Sequence, residues 1–235
     1  MIFIGSGTLL YEAVADSLKK GYCIERIYCP IKDSSLPKLR NINVNISEIL
    51  NPNQITIYDL QNCKDGKVFS INNKYLLSDN LLKSGLDFFN IHNGIVQKYR
   101  GISEICVLAS ICNEEDEYGV TLHRILPLQK VDSGPVVKQL KCKLEEPDKF
   151  SDIMYKSLSL SKTIFQTSLE EIMSDKISSY TVEITGQSYK YSDVPAILRN
   201  ANPKYAEKAC DMGSYAPFFP KLSGLIKSHQ NSKGY

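Results

Sequence analysis

Asn90 and His92 stand two residues apart at the end of an apolar run, residues 86–89, that reads as a buried strand leading into a loop. Side chains two apart on an extended backbone project from one face. An amide that can donate a hydrogen bond then stands beside an imidazole that can take or give a proton near neutral pH. Further along come Tyr118-Gly119-Val120-Thr121-Leu122-His123 and then Val131-Asp132-Ser133-Gly134-Pro135. An amide can stabilise an oxyanion, an imidazole can move a proton, and the carboxylate of Asp132 can orient that ring or hold its charged form. His123 alternates with Leu122 and Arg124 and reads as a packed strand residue. His92, His123 and Asp132 lack the spacing of a metal motif, so no metal is expected.

Loops leaving the carboxyl ends of strands are where open α/β sheets hold ligands, so the surrounding elements must build such a sheet. Residues 1–4 form a short apolar strand, Gly5-Ser6-Gly7-Thr8 a tight turn, residues 9–20 a helix closed by Gly21, and residues 22–28 a second strand. That opening begins a doubly wound unit. The turn departs from the dinucleotide fingerprint: Leu10 stands in the third glycine's place, and no acidic residue closes the second strand convincingly. A helix N-terminus there could still take a phosphate. Residues 46–50 read as a short helix, 68–71 as a strand, 78–83 as a short helix and 103–112 as a helix. Residues 119–126 and 135–144 read as strands flanking the Asp132 loop, and 150–173 carries the spacing of a long amphipathic helix. Beyond residue 175, residues 179–191 read as a hairpin around Thr185-Gly186-Gln187. Helices follow near Val194 and over 203–212, an apolar Pro217-Phe218-Phe219-Pro220 docks on the body or a second subunit, and residues 228–235 read as disordered. The expected architecture is α/β: a Rossmann-like, doubly wound, mostly parallel sheet with a C-terminal β-hairpin and helical appendage. A catalytic domain over 1–175 and an extension over 176–235 are expected.

The bulk properties narrow the partners. A net charge of +2 over 235 residues gives no dedicated surface for nucleic acid. Seven cysteines without CxxC spacing read as buried reduced thiols, with Cys23, Cys106 and Cys142 in apolar or strand-like runs. Neither a signal peptide nor a membrane span is visible, so a soluble cytoplasmic protein is expected.

The motifs Asn-x-His at Asn90 and His92, Tyr99-Arg100-Gly101, Gly119 through His123, and Val131 through Pro135 resemble the formyltransferases that use 10-formyltetrahydrofolate. The likeness is strongest over residues 72–137. It implies transfer of a formyl group from that folate to a primary amine, with Asn90, His92 and Asp132 as the catalytic set. It also implies a pterin cleft formed by Lys74, Tyr75 and Leu77, with Leu82 behind them, and by Gln129 and Val131. By the same resemblance Ser6, Gly7 and Thr8 are acceptor-side candidates, and Arg100 either contacts an anionic acceptor or fixes its loop. Asn93 after the histidine is similar to the sugar-formylating branch. Gln97 stands where many members have Pro, so the loop lacks a stiffening ring. The acceptor implied is a nucleotide-linked amino sugar, with a homodimer built through the C-terminal hairpin. The alternatives are an aminoacyl, peptidyl or ribonucleotide amine, or a folate-binding α/β protein without turnover.

Overall fold

The computed structural model describes residues 1–232. Its strands are β1 (Ile2–Gly5), β2 (Arg26–Pro30), β3 (Ile46–Ile49), β4 (Lys67–Ile71), β5 (Asp87–His92), β6 (Arg100–Gly101), β7 (Glu117–Ile125), β8 (Val136–Lys143) and β9 (Ser188–Tyr189). Its helices are α1 (Gly7–Lys19), α2 (Leu36–Leu39), α3 (Asp79–Leu82), α4 (Ser103–Cys112), α5 (Phe150–Met173), α6 (Val194–Asn200), α7 (Pro203–Cys210) and α8 (Pro220–Ser232). Seven strands form one sheet in the order β3-β2-β1-β4-β5-β7-β8. The pairs β2–β3, β1–β2, β1–β4 and β4–β5 are parallel. Strands β7 and β8 run antiparallel: Arg124 N–H donates to the Pro135 carbonyl, and Leu144 N–H donates to that of Asp116. The fold is the Rossmann-like, mostly parallel α/β sheet expected, and among the described residues no helix is long and apolar enough to cross a membrane.

The chain divides into two compact, interleaved units. The first comprises Met1–Ile91, Leu122–Lys138 and Ser161–Val182. Register places Phe3, Phe69 and Phe89 side by side on three adjacent parallel strands. Their rings stack at 5.5 and 5.6 Å, and Phe165 of α5 meets Phe69 edge-on at 5.4 Å. Successive strand residues face opposite sides, so Asn90 continues the other row, beyond Phe88, and pairs in register with Ser70. Gly5 is required because a Cβ there would lie 1.9 Å from the Ile71 carbonyl oxygen.

The second unit comprises His92–Thr121, Gln139–Leu160 and the chain from Glu183 onward. Its core gathers α4, which is buried along most of its length, with Phe150, Ile153, Val194, Leu198, Leu222 and Ile226. Phe219 meets Phe150 edge-on at 6.2 Å and packs on this core, whereas Pro217, Phe218 and Pro220 stay exposed, so only one residue of the apolar Pro-Phe-Phe-Pro segment docks.

Several expectations are corrected. Residues 46–49 form a strand, since Ile46 through Ile49 pair in register with Ile27 through Pro30 and extend the parallel ladder. Asn90 and His92 lie inside β5, which runs three residues beyond Phe89 before the loop begins. The hairpin over 179–191 does not form. Tyr180 bridges Val136 antiparallel, whereas Ser188 and Tyr189 pair in parallel with Arg100 and Gly101. The Gln97 carbonyl draws the N–H groups of Thr185 and Gly186, so the intended turn is consumed by another segment. The homodimer inferred from such a hairpin loses that basis. Helix α8 continues through Ser232, covering most of the segment expected to be disordered; residues 233–235 lie outside the described residues. All seven cysteines are free, and Cys23 is exposed rather than buried.

Candidate active site

In the first unit, the sheet brings Asn90 and Asp132 to one imidazole, that of His123. Asn90 Nδ2 lies 3.1 Å from His123 Nε2, and His123 Nδ1 lies 3.0 Å from the Arg124 carbonyl oxygen. A carbonyl only accepts, so Nδ1 carries the hydrogen and Nε2 offers its lone pair to the Asn90 amide. Asp132 Oδ1 stands 3.5 Å from the same Nε2, and the His123 side chain is only 3% exposed. A proton arriving at Nε2 would therefore find a carboxylate beside it.

Local geometry explains how Asp132 reaches this position. Ser133 N–H and Oγ both bond the Lys130 carbonyl, at 3.2 and 2.8 Å, closing a turn in which Asp132 takes φ +49°. Asp is among the few residues that enter this left-handed region readily. Gly134 lets the loop press against β7, since a Cβ there would lie 1.8 Å from the Arg124 carbonyl oxygen. Arg124 faces away from the cluster. Its guanidinium lies 5.0 Å from the Phe89 ring centre and bonds Asp87 at 2.6 Å. Asp87 also meets Lys67 at 2.7 Å, and Lys67 pairs with Asp175. Burial alone would raise the Asp87 pKa, but the hydrogen bond from Lys67 and the charge of Arg124 outweigh it and hold the carboxyl below its ordinary value.

In the second unit, His92 is 4% exposed and its Nε2 lies 2.8 Å from the Tyr99 carbonyl oxygen. The carbonyl fixes the hydrogen on Nε2, so in the neutral ring Nδ1 is the basic nitrogen. Gly94 is dictated by this contact: a Cβ there would lie 2.6 Å from His92 Nε2 and 2.5 Å from the Tyr99 carbonyl oxygen. The loop from 93 to 99 is pinned from several sides. Tyr118 Oη donates to the Asn93 carbonyl at 2.6 Å, and Thr121 Oγ1 donates to that of Gly94 at 2.7 Å. Gln97 and Gln139 exchange side-chain amide bonds at 2.8 and 3.1 Å, and Gln139 Nε2 also donates to Thr121 Oγ1 at 2.9 Å. The stiffness expected to vanish with the family's proline is thus supplied by an amide network. Burial raises the Tyr99 hydroxyl pKa far above its ordinary range, and the hydroxyl donates a hydrogen bond to Glu115 at 2.9 Å.

The remaining candidates divide. Lys74 and Tyr75 are exposed, Leu77 is half-buried against the core, and Leu82 lies within that core at 8% exposure. Gln129 is exposed and Val131 half-buried. Leu76 and Leu128 present bare apolar surface at 67% and 80% exposure, and Leu128 N–H bonds Asp79 Oδ1 at 2.9 Å. Ser6 is turned inward, donating to the Asn72 carbonyl at 2.7 Å, while Thr8 is exposed. Gly7 N–H donates to Asp33 Oδ1 at 2.9 Å, so an acidic residue does follow the second strand, contrary to expectation. Arg100 is 7% exposed and donates to the Gly186 carbonyl at 3.2 Å, which favours its loop-fixing role. His123 is the packed strand residue expected, with its ring against Asn90, whereas Asp33 was not singled out in the sequence. The signal for His123 was a polar pair, Thr121 and His123, on one face of an otherwise apolar buried strand.

No family model matches the chain. Two curated proteins share its sequence in part. The bifunctional polymyxin resistance protein ArnA of Wigglesworthia glossinidia brevipalpis is 31% identical over 137 residues, 58% of this chain and 20% of that protein. The methionyl-tRNA formyltransferase of Pelagibacter ubique is 32% identical over 110 residues, 47% of this chain and 34% of that protein. The chain thus spans no more than about a third of the length of either relative. Among solved structures, the N-formyltransferase of Helicobacter canadensis, in complex with folinic acid and dTDP-3-aminofucose, superposes with a TM-score of 0.67. That likeness covers 88% of this chain and 79% of the other at 16% identity. The chain therefore has the formyltransferase fold and shares sequence, over about half its length, with a protein of that name.

Proposed function

We propose that this protein is an N-formyltransferase that moves a formyl group from 10-formyltetrahydrofolate to a primary amine on a nucleotide-linked sugar. The observation that carries the reading is the Asn90–His123–Asp132 cluster at the carboxyl end of β5. In the reaction the neutral amine nitrogen attacks the formyl carbon, and the carbonyl oxygen gains the negative charge. The amide of Asn90 has a second N–H beyond the one directed at His123, and that hydrogen serves the oxyanion. Collapse re-forms the carbonyl and breaks the bond from formyl carbon to folate nitrogen. The amine loses a proton and the folate nitrogen gains one, leaving a formamide and tetrahydrofolate. His92, two residues from Asn90 on the same strand, is assigned the amine's proton through Nδ1. His123 with Asp132 is assigned the positioning of Asn90 and the holding of transient positive charge.

The apolar residues Leu76, Leu77 and Leu128, with main-chain groups of 74–77 and 129–131, suit a flat heterocycle carrying donor and acceptor edges. Support for a sugar acceptor comes from Asn93 after the histidine and from the ligands named for the Helicobacter canadensis enzyme. Glycinamide ribonucleotide fits less well, because the Asp33 carboxylate already occupies the Gly7 amide where its phosphate would sit.

The test is to incubate purified protein with 10-formyltetrahydrofolate and a panel of amines, including nucleotide-linked 4-amino and 3-amino sugars. Tetrahydrofolate release and a formyl mass increment on one acceptor are expected. Absence of release with every amine, from protein that binds the folate, would leave the non-catalytic alternative.

A further inference from the structure

We infer that a cleft at the carboxyl ends of β1, β2 and β3 is a ribonucleoside-phosphate site in which Asp33 receives the ribose hydroxyls. The cleft measures about 280 Å³ and lies wholly within the first unit. That is the small end of ligand sites, which run from roughly 300 Å³ upward, and it suits a nucleoside better than a whole nucleotide sugar. Its walls are Tyr28, Ile31, Ile49, Leu50 and Pro52, an apolar slot for a planar base. Ile31 and Leu50 stand 45% and 67% exposed, more bare apolar surface than two strand ends need.

Asp33 is held rigidly at this cleft. Its Oδ1 accepts from Gly7 N–H, Ser35 N–H and Ser35 Oγ, at 2.9, 2.9 and 2.5 Å. The turn that delivers it, closed by Asp33 N–H to the Pro30 carbonyl at 3.1 Å, forces Lys32 to φ +64°. A lysine enters that region only when its surroundings impose it, and such strain gathers at ligand sites. With Oδ1 occupied by three donors, Oδ2 is the oxygen available to a ligand that donates. Adjacent hydroxyls on a ribose do so, as acidic residues after a second strand do in dinucleotide folds.

The same carboxylate makes the βα turn repel a phosphate, because the amide and the positive end of α1 already face a fixed negative charge. Lys32 and Lys74, also lining the cleft, are the cations left to meet an anionic tail. The cleft thus combines an apolar slot, a hydroxyl acceptor and cationic side chains. This deepens the formyltransferase reading by making the acceptor's carrier a ribonucleotide rather than a deoxyribonucleotide, but the binding is measurable without turnover.

The experiment is calorimetric titration of the full chain with uridine 5′-diphosphate, 2′-deoxyuridine 5′-diphosphate, adenosine 5′-diphosphate and inorganic phosphate. Asp33→Asn is the variant, since its side-chain oxygen can still cap Gly7 and Ser35. At least one ribonucleotide should bind. Uridine diphosphate should bind roughly tenfold or more tightly than its deoxy form, and Asp33→Asn should erase that difference. Equal affinity of ribo and deoxy forms, a preference that survives in Asp33→Asn, phosphate binding as tightly as the nucleotides, or no nucleotide binding at all would each overturn the proposal. Should Asp33→Asn fail to fold, the ribo-to-deoxy ratio on the unaltered chain decides alone. Formyl transfer without ribose discrimination would sink only this inference; discrimination without formyl transfer to any amine would sink only the earlier one.

Discussion

Replacing Thr121 by Val tests whether the loop that fixes His92 is held by hydrogen bonds or by packing. Thr121 is fully buried, and its hydroxyl serves three groups. It donates to the Gly94 carbonyl at 2.7 Å and accepts from Gln139 Nε2 at 2.9 Å and from Val96 N–H at 3.4 Å. Valine has nearly the same shape, so no cavity opens and the change is purely one of polarity. The long Val96 contact contributes little. Gln139 keeps its bonds to Gln97 and loses one of several. The Gly94 carbonyl loses its hydroxyl donor, and leaving one buried group without a partner costs about 1–3 kcal/mol. With a smaller share from Gln139 the total is about 2–4 kcal/mol. For a chain of this length that lowers Tm by roughly 5–15 °C. Urea titration monitored by circular dichroism, beside a Thr121→Ser control that keeps the hydroxyl, measures the difference. Thr121→Ser should lose only about 1 kcal/mol for its missing methyl group. If Thr121→Val were within 0.5 kcal/mol of the unaltered protein, or less damaging than Thr121→Ser, the amide–hydroxyl network would not be what holds the loop.

Asn90→Ala should lower the rate of formyl transfer about a hundredfold or more while leaving the unfolding midpoint within a few degrees, since the residue is half-buried at a strand end; a loss under tenfold in kcat would exclude it as the oxyanion donor. Asp87 has a depressed pKa in the folded state, so its contribution to stability is present above the unfolded carboxyl value near 3.9 and is lost as pH falls through the lower folded value. Asp87→Asn should therefore be less stable than the unaltered chain at pH 6, with the gap closing below about pH 4 in urea titrations; a gap independent of pH contradicts the ion-pair assignment. Gly186→Ala should release the segment around Thr185, because the new Cβ would lie 2.0 Å from the Lys98 carbonyl oxygen. Hydrogen exchange at the Thr185 and Gly186 amides, now bonded to Gln97, should accelerate, and unchanged protection there would refute the close packing.

Local spacing made much of this fold legible. The long helix of Phe150–Met173 and the buried helix of Ser103–Cys112 coincide with the ranges read from apolar periodicity and a boundary serine. The strand–turn–helix opening was visible because Gly5 and Gly7 mark close approach and a left-handed backbone. What escaped was set by partners far along the chain. Residues 46–49 are amphiphilic enough for either state, and pairing with β2 decides. Thr185-Gly186-Gln187 has turn chemistry, yet the competing acceptor at Gln97 lies nearly ninety residues upstream. At the candidate site, motif spacing pointed to Asn90 and Asp132, while the placement of the His123 ring beside both depends on β7 lying next to β5 in the sheet. Asp33 stayed hidden because its carboxylate reaches back to Gly7 from a turn three residues past the second strand.

The parallel pairing of Arg100 and Gly101 with Ser188 and Tyr189 bears on how the molecule comes into being. The strand that directly follows the loop seating the His92 ring gains its partner only once residue 189 has left the ribosome, well after the sheet around Phe3, Phe69 and Phe89 has been synthesised. A nascent or prematurely terminated product would carry the whole Asn-x-His sequence while lacking its clasp. Competence would then be conferred late in biosynthesis, by the arrival of the tail rather than by completion of the motif itself.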